Sequence, residues 1–189
     1  MQAEKPRPTP CKPPPLFQGR FVATIGHDTT FLGEYFSDDY REKFRMRISF
    51  PNKTVALDQL TLFREKSMYD ISYEHKTCEK KSINLPFPPM AIPPGAVFEK
   101  QFVLGSLSEP GKGLLLNVWS GTDPQVTGRY EVTSTEDGCL PISTRHYKEP
   151  DWHTAVFHDA VYGIEDPNVF IPPSFCKTSQ AQNSNEVDG

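Results

Sequence analysis

The stretch Arg41-Glu-Lys-Phe-Arg-Met-Arg-Ile-Ser-Phe50 decides the fold class. Phe44, Met46, Ile48 and Phe50 occupy every second position, and Lys43, Arg45, Arg47 and Ser49 fill the positions between them. Side chains on a strand alternate sides with a period of two, whereas a helix would need an apolar recurrence near 3.6. The segment therefore reads as a strand with one apolar face and one solvated face. Upstream, Gln18–Ile25 and Thr30–Ser37 are β-branched and aromatic runs separated by Gly26-His-Asp-Thr29, the pattern of a hairpin.

Downstream the same signal recurs at Leu60–Phe63, Met68–Tyr73, Cys78–Leu85, Val97–Leu104, Leu114–Ser120, Thr127–Thr135, Leu140–Tyr147 and Thr154–Tyr162. Turn residues such as Asp123-Pro124 and Asp137-Gly138 break the runs. About ten short strands at this spacing predict stacked antiparallel sheets or a barrel. Between them, Leu85–Gly95 holds five prolines, which donate no ladder hydrogen bonds, and it is read as an extended apolar loop. A single helical turn is expected at Asp166–Phe170, with Asp166 as cap and Pro167 at the first helical position. Residues 11–177 are read as one β domain, residues 1–10 as a disordered lead and 178–189 as a disordered tail.

Composition narrows the function classes. The chain of 189 residues carries a formal charge of -4, so it offers phosphate backbones no basic surface, and nucleic acid is not an expected partner. No run of about 18 apolar residues exists to span a bilayer as a helix. Met1–Pro8 lacks the apolar centre of a signal peptide, which leaves the compartment to be read from other features. Cys11, Cys78, Cys139 and Cys176 are even in number, widely spaced and without a C-x-x-C pair. That spacing suits two long-range disulfides in an oxidising compartment, with four buried thiols in a reducing one as the alternative. Asn52-Lys-Thr54 is an N-glycosylation sequon placed where a strand ends, which tilts the balance toward the secretory pathway.

Catalytic signatures are missing: there is no G-x-S-x-G, no phosphate-binding glycine loop and no H-E-x-x-H. No catalytic residue is assigned, and an enzyme is not expected. His146, Asp151, His153, His158 and Asp159 gather imidazoles and carboxylates, but His153 and His158 are separated by an odd number and would face opposite sides of a strand; a solvated loop with ordinary histidines is the better reading. Glu34, Asp38 and Asp39, and separately Glu165 and Asp166, are candidate oxygen ligands for calcium. They serve equally well as turn and cap residues. Phe44, Met46, Ile48, Tyr69, Ile71, Leu114, Leu116, Val118 and Tyr130 are either the filling between two sheets or the lining of a hydrophobic pocket.

Several stretches resemble the ependymin-related protein family: Pro10-Cys11 with Phe17-Gln-Gly-Arg20, Thr77-Cys78, Pro86-Phe-Pro-Pro89 with Ile92-Pro93, Phe98-Glu-Lys-Gln101 and Val118-Trp-Ser120. Asp137-Gly-Cys139 with Pro141, Gly163-Ile-Glu-Asp-Pro-Asn-Val-Phe170 and Pro172-Pro-Ser-Phe-Cys176 complete the match. The resemblance implies a mostly β fold of two stacked antiparallel sheets with a hydrophobic pocket between them, similar to bacterial lipoprotein-carrier folds. It implies disulfides Cys11–Cys139 and Cys78–Cys176, an N-glycan, a homodimer, and residence outside the cell or in the lysosomal lumen. It also implies association with calcium and with lipids or gangliosides. Some members carry six cysteines, so this chain lacks one of their bridges. The expected function is a binder or carrier of a fatty acid, phospholipid or ganglioside; an adhesion or matrix glycoprotein without lipid cargo is the alternative.

Overall fold

A computed structural model describes residues 7–26, 29–52, 54–123, 128–148 and 151–176. Among these the chain forms β1 (Leu16–Ile25), β2 (Thr29–Asp38), β3 (Lys43–Ser49), β4 (Val55–Leu62), β5 (Ser67–Ser72) and β6 (Thr77–Ser82). It continues with β7 (Val97–Gly105), β8 (Gly113–Asp123), β9 (Gly128–Thr135), β10 (Pro141–Lys148), β11 (Asp151–Tyr162) and a 3-10 turn, η1 (Pro167–Phe170). The expected mostly β, antiparallel class is present, with its ladder hydrogen-bonded as one eleven-stranded sheet in the order β6-β5-β4-β3-β2-β1-β11-β10-β9-β8-β7. Residues 1–6 of the expected lead and the whole expected tail, 178–189, lie outside the described residues.

The chain gathers into two compact units. The first is built on β7 to β10 with the Asp151–His158 part of β11, the second on β2 to β6 with η1. Each unit has one sheet face covered by an irregular segment. In the first unit Ile92 from the proline-rich loop packs with Trp119 and Cys139, with Cys11, Phe98 and Val132 around them. The Ile92 amide donates to the Cys11 carbonyl at 2.9 Å, and Cys11 is bonded to Cys139. The loop whose prolines exclude it from the ladder thus serves as a cover for the sheet.

The second unit shows most clearly which face is filled. Register pairs Phe36 with Arg45, Arg45 with Leu60 and Leu60 with Tyr69, so these four side chains share one face. Leu60, Leu62, Tyr69 and Ile71 form a core there with Val169 and Phe170 of η1 and with the bonded pair Cys78–Cys176. Asp166 caps η1 by accepting from the Asn168 amide at 3.0 Å, and Pro167 stands at its start.

Arg45 overturns the sequence-based assignment of a solvated face. The residue is 1% exposed. Nε and Nη2 donate to the two carboxylate oxygens of Asp58 at 2.9 and 2.8 Å, and Nη1 donates to the Val169 carbonyl at 2.8 Å. The guanidinium fork matches the carboxylate in bidentate fashion, and its remaining donor closes on η1. Removing one partner of a buried pair strands the other charge. Arg45→Ala is therefore expected to lower the unfolding free energy by about 3 to 5 kcal/mol, against less than about 0.5 kcal/mol for Lys43→Ala on the same strand face. Parallel urea titrations of the two variants measure the difference.

Candidate functional site

The opposite face of β3 holds Phe44, Met46 and Ile48, all only half-buried although β3 lies inside the ladder with β2 and β4 on either side. Cross-strand pairing sets Met46 beside Tyr35 and Gln59, Phe44 beside Ser37 and Thr61, and Ile48 beside Gly33 and Leu57. Met68, opposite Thr61 on β5, extends the surface. The result is an apolar strip of branched, thioether and aromatic side chains on the face that η1 does not cover. Apolar surface of this kind suits a ligand recognised by shape and dryness, and methionine adapts to irregular outlines.

Aromatic rings laid over glycines close one side of the strip. A Cβ added at Gly33 would meet the Phe21 ring at 2.0 Å, and one at Gly19 would meet the Tyr35 hydroxyl oxygen at 2.5 Å. Any side chain at either position would displace a ring. Phe17 packs edge-on against Tyr35 with ring centres 5.5 Å apart. Burial pushes the Tyr35 phenol up to about 12, because the ionised form would lose its water.

The other side of the strip is polar. Gln59 and Lys81 donate to the two oxygens of Asp70 at 2.9 and 2.7 Å. Burial by itself would raise the Asp70 carboxyl, but hydrogen bonds from Lys81 and Gln59 outweigh it and hold the group below its ordinary value. Hydrogen bonding to Asp70, followed by the charges of Asp70 and Glu79, raises the exposed Lys81 ammonium. Hydrocarbon at the centre thus gives way to a charged border at β5 and β6.

The nine apolar residues singled out from sequence do not share one surface. Phe44, Met46 and Ile48 form the strip, while Tyr69 and Ile71 point to the covered face and belong to the core around η1. The two alternate onto one face, and the register that pairs Tyr69 with Leu60 places them in line with Arg45. Leu114, Leu116 and Val118 share a face of the first unit opposite Leu104, Phe102 and Lys100; Leu116 and Val118 are buried there and Leu114 is exposed. Tyr130 is on the reverse face of that unit, opposite Gly121 and His146.

Of the carboxylates considered for calcium, those of Glu34, Asp38, Glu165 and Asp166 are engaged by other groups. Glu34 lies 3.5 Å from Arg20 and 3.8 Å from Arg47, in a charged row that runs on to Asp159 through Arg20 and to Asp58 through Arg47. Asp38 is buried and accepts from the Arg41 amide at 2.8 Å and its guanidinium at 3.2 Å. Asp39 donates its amide to the Pro15 carbonyl, Glu165 exchanges hydrogen bonds with Gln18, and Asp166 caps η1. Among the described residues no group of three or more His, Cys, Asp or Glu side chains stands together as a metal centre. His146 and His153 face each other across β10 and β11, and His158 is exposed farther along β11. Asn52 is exposed, and its side-chain oxygen accepts from the Thr54 amide at 3.0 Å. Among the described residues no helix is long and apolar enough to cross a membrane.

Sequence reasoning missed Arg45 as a buried anchor. The signal was available in Asp58, an acidic residue inside the β-branched and leucine-rich run Val55–Leu62. A lone carboxylate in such a run asks for a buried partner.

Comparison with known proteins places these features in a family. The ependymin family model matches residues 51–176. Ependymin-2 of Carassius auratus is 34% identical over 89% of this chain and 80% of its own length. Mammalian ependymin-related protein 1 of Rattus norvegicus is 28% identical over 95% of this chain and 81% of its own. The fold is similar to the solved structure of an uncharacterized conserved protein from Thermus thermophilus, with a TM-score of 0.59 at 9% identity over 84% of this chain and 86% of that one. A LolA superfamily protein from Nitrosomonas europaea aligns more distantly, with a TM-score of 0.42 at 11% identity over 86% of this chain and 92% of that chain.

Proposed function

The chain belongs to the ependymin family, and on that premise we propose that it is an extracytoplasmic binder of a hydrophobic ligand, with an acyl chain lying along the Phe44–Met46–Ile48 strip. The observation that supports the reading is that these three apolar side chains stay only partly buried in the interior of the ladder, on the face that η1 does not cover. Contiguous apolar surface that stays partly open marks an interaction site more often than singly exposed residues do. A fatty acid, phospholipid or ganglioside supplies the chemistry: each methylene removed from water contributes about 0.8 kcal/mol before ordering costs, so a long chain reaches micromolar affinity with few polar contacts. The charged border at Asp70 and Lys81 suits a head group that remains in water. Binding a carried molecule, rather than transforming it, is the role assigned.

Met46→Arg is expected to abolish uptake of a fluorescent fatty acid, whereas Lys80→Ala, on the covered-face side of β6, leaves it unchanged. Fluorescence titration of the two folded variants reads this directly. Equal binding by Met46→Arg and the parent would remove the ligand from the strip and favour an adhesion or matrix role.

Family membership also motivates two proposals about the mature form. Asn52 carries an N-glycan, since it is exposed and its Asx turn presents the sequon to solvent; glycosidase treatment of material from a eukaryotic secretory pathway is expected to raise its gel mobility, and no change would remove the claim. A homodimer forms through the β7 edge. At the other edge, β6 displays Glu79, Lys80 and Lys81, charges that discourage pairing, while β7, which also carries Glu99 and Lys100, exposes Val97, Phe102 and Leu104. Light scattering is expected to give twice 21.4 kDa, and Phe102→Lys with Leu104→Lys to give one copy; a single-copy mass for the parent would refute it.

A further inference from the structure

The histidine cluster singled out from sequence takes a definite geometry in the first unit. Register places His146 of β10 directly opposite His153 of β11, with Tyr130 of β9 opposite His146 on the same row. Directly opposed strand residues hold their Cβ atoms about 4.5 to 5.5 Å apart. The two imidazole centres are 6.3 Å apart with planes inclined by 39°, and the Tyr130 ring lies 6.4 Å beyond His146. Both histidines are half-buried, and Nδ1 of His153 is buried without a hydrogen-bond partner. A buried polar nitrogen left unsatisfied costs about 1 to 3 kcal/mol, which a bond to an electrophile would offset.

We propose that His146 and His153 form a two-imidazole binding site for a divalent transition-metal ion of the copper and zinc type. A metal–imidazole bond of about 2.0 to 2.1 Å puts each ring centre about 3 Å from the ion, so two rings on one ion lie about 5 to 6 Å apart. The observed separation is just beyond that span. Rotation about the soft terminal torsions of the two imidazoles closes it without moving the strands. One neighbouring row on the same face is Thr144 opposite Ala155, two small side chains.

Ligand type selects the ion. Imidazole suits zinc, copper and nickel, whereas calcium and magnesium require oxygen ligands. Among the described residues no group of three or more His, Cys, Asp or Glu includes the pair, and Asp159, six residues beyond His153, is paired with Arg20 at 3.7 Å. An imidazole-only set of two gives moderate affinity that follows the order zinc below copper. This site is separate from the Phe44–Met46–Ile48 strip, and its existence does not depend on a lipid ligand.

The test uses the full chain stripped of metal with a chelator and titrated calorimetrically with Cu(II) and with Zn(II). One ion per chain is expected, with Cu(II) the tighter. His146→Gln and His153→Gln each weaken binding at least tenfold, and His158→Gln leaves it unchanged. Electron paramagnetic resonance of the Cu(II)-loaded parent is expected to show hyperfine coupling from two imidazole nitrogens, a readout that holds even where a variant fails to fold. Binding by folded His153→Gln equal to that of the parent, dependence on His158, or a spectrum without imidazole nitrogen would overturn the assignment.

Discussion

The second unit depends on one buried interaction, the guanidinium of Arg45 clasped between the Asp58 carboxylate and the Val169 carbonyl. Taking two charges out of water is expensive, and their attraction offsets this only when the geometry is good and the remaining donors are used. Here the fork is bidentate and a further donor goes to backbone. The pair therefore contributes less to net stability than to definition: it fixes which face of β3 the segment after β11 must cover. A hydrophobic replacement of similar volume could fill the same space without specifying where η1 docks. The Cys78–Cys176 bond secures the same segment farther along and shortens the unfolded chain's excursions.

Once that face is filled, the chemistry of the other follows from alternation. Every residue committed to the core around Arg45 and Leu60 sends its neighbours in sequence to the reverse side, so Phe44, Met46 and Ile48 are left together, partly buried, on the face that η1 does not cover. A one-residue slip would exchange the two faces, putting three cations and Ser49 where the strip now lies. The salt-bridged row from Asp159 through Arg20, Glu34 and Arg47 to Asp58 opposes such a slip, because it pairs opposite charges only in the native register. Each surface pair in the row is weak by itself, and their value here is alignment.

Strand existence was legible in the sequence because alternation and turn residues are local signals. The hairpin Gln18–Ser37, the strand around Met46, the proline-rich loop and the capped turn at Asp166 all appear within a residue or two of their expected places. The start of β4 was less visible: Val55-Ala-Leu-Asp-Gln59 mixes polar and apolar residues because Asp58 is buried with Arg45 and Gln59 faces the border of the strip. What alternation cannot give is which of two faces is dry. Arginine at every second position of β3 reads as solvated on polarity alone, and only the arrival of η1 from more than a hundred residues downstream reverses the reading for Arg45. Tyr69 and Ile71 were misplaced for the same reason, since their side is fixed by pairing with β4 and not by their own pattern. The opposed histidines needed the β10–β11 register, which no local signal encodes.

The titratable groups that border the strip have pKa values shifted away from neutrality. Proton transfer at neutral pH is most efficient from groups whose pKa lies near 7. Around the strip each resolved shift runs the other way: the Asp70 carboxyl is held below its ordinary value, the Lys81 ammonium is raised above its own, and the Tyr35 phenol is pushed up to about 12. Asp70 and Lys81 are locked to each other at 2.7 Å, which makes the carboxylate a poor base and the ammonium a poor acid. Tyr35 sits with its oxygen over Gly19, at the edge where the aromatic rings close the surface. Under the proposed function such groups meet a polar head group and orient it. An apolar centre flanked by charges whose shifts run away from neutrality fits the proposed binding of an amphiphile.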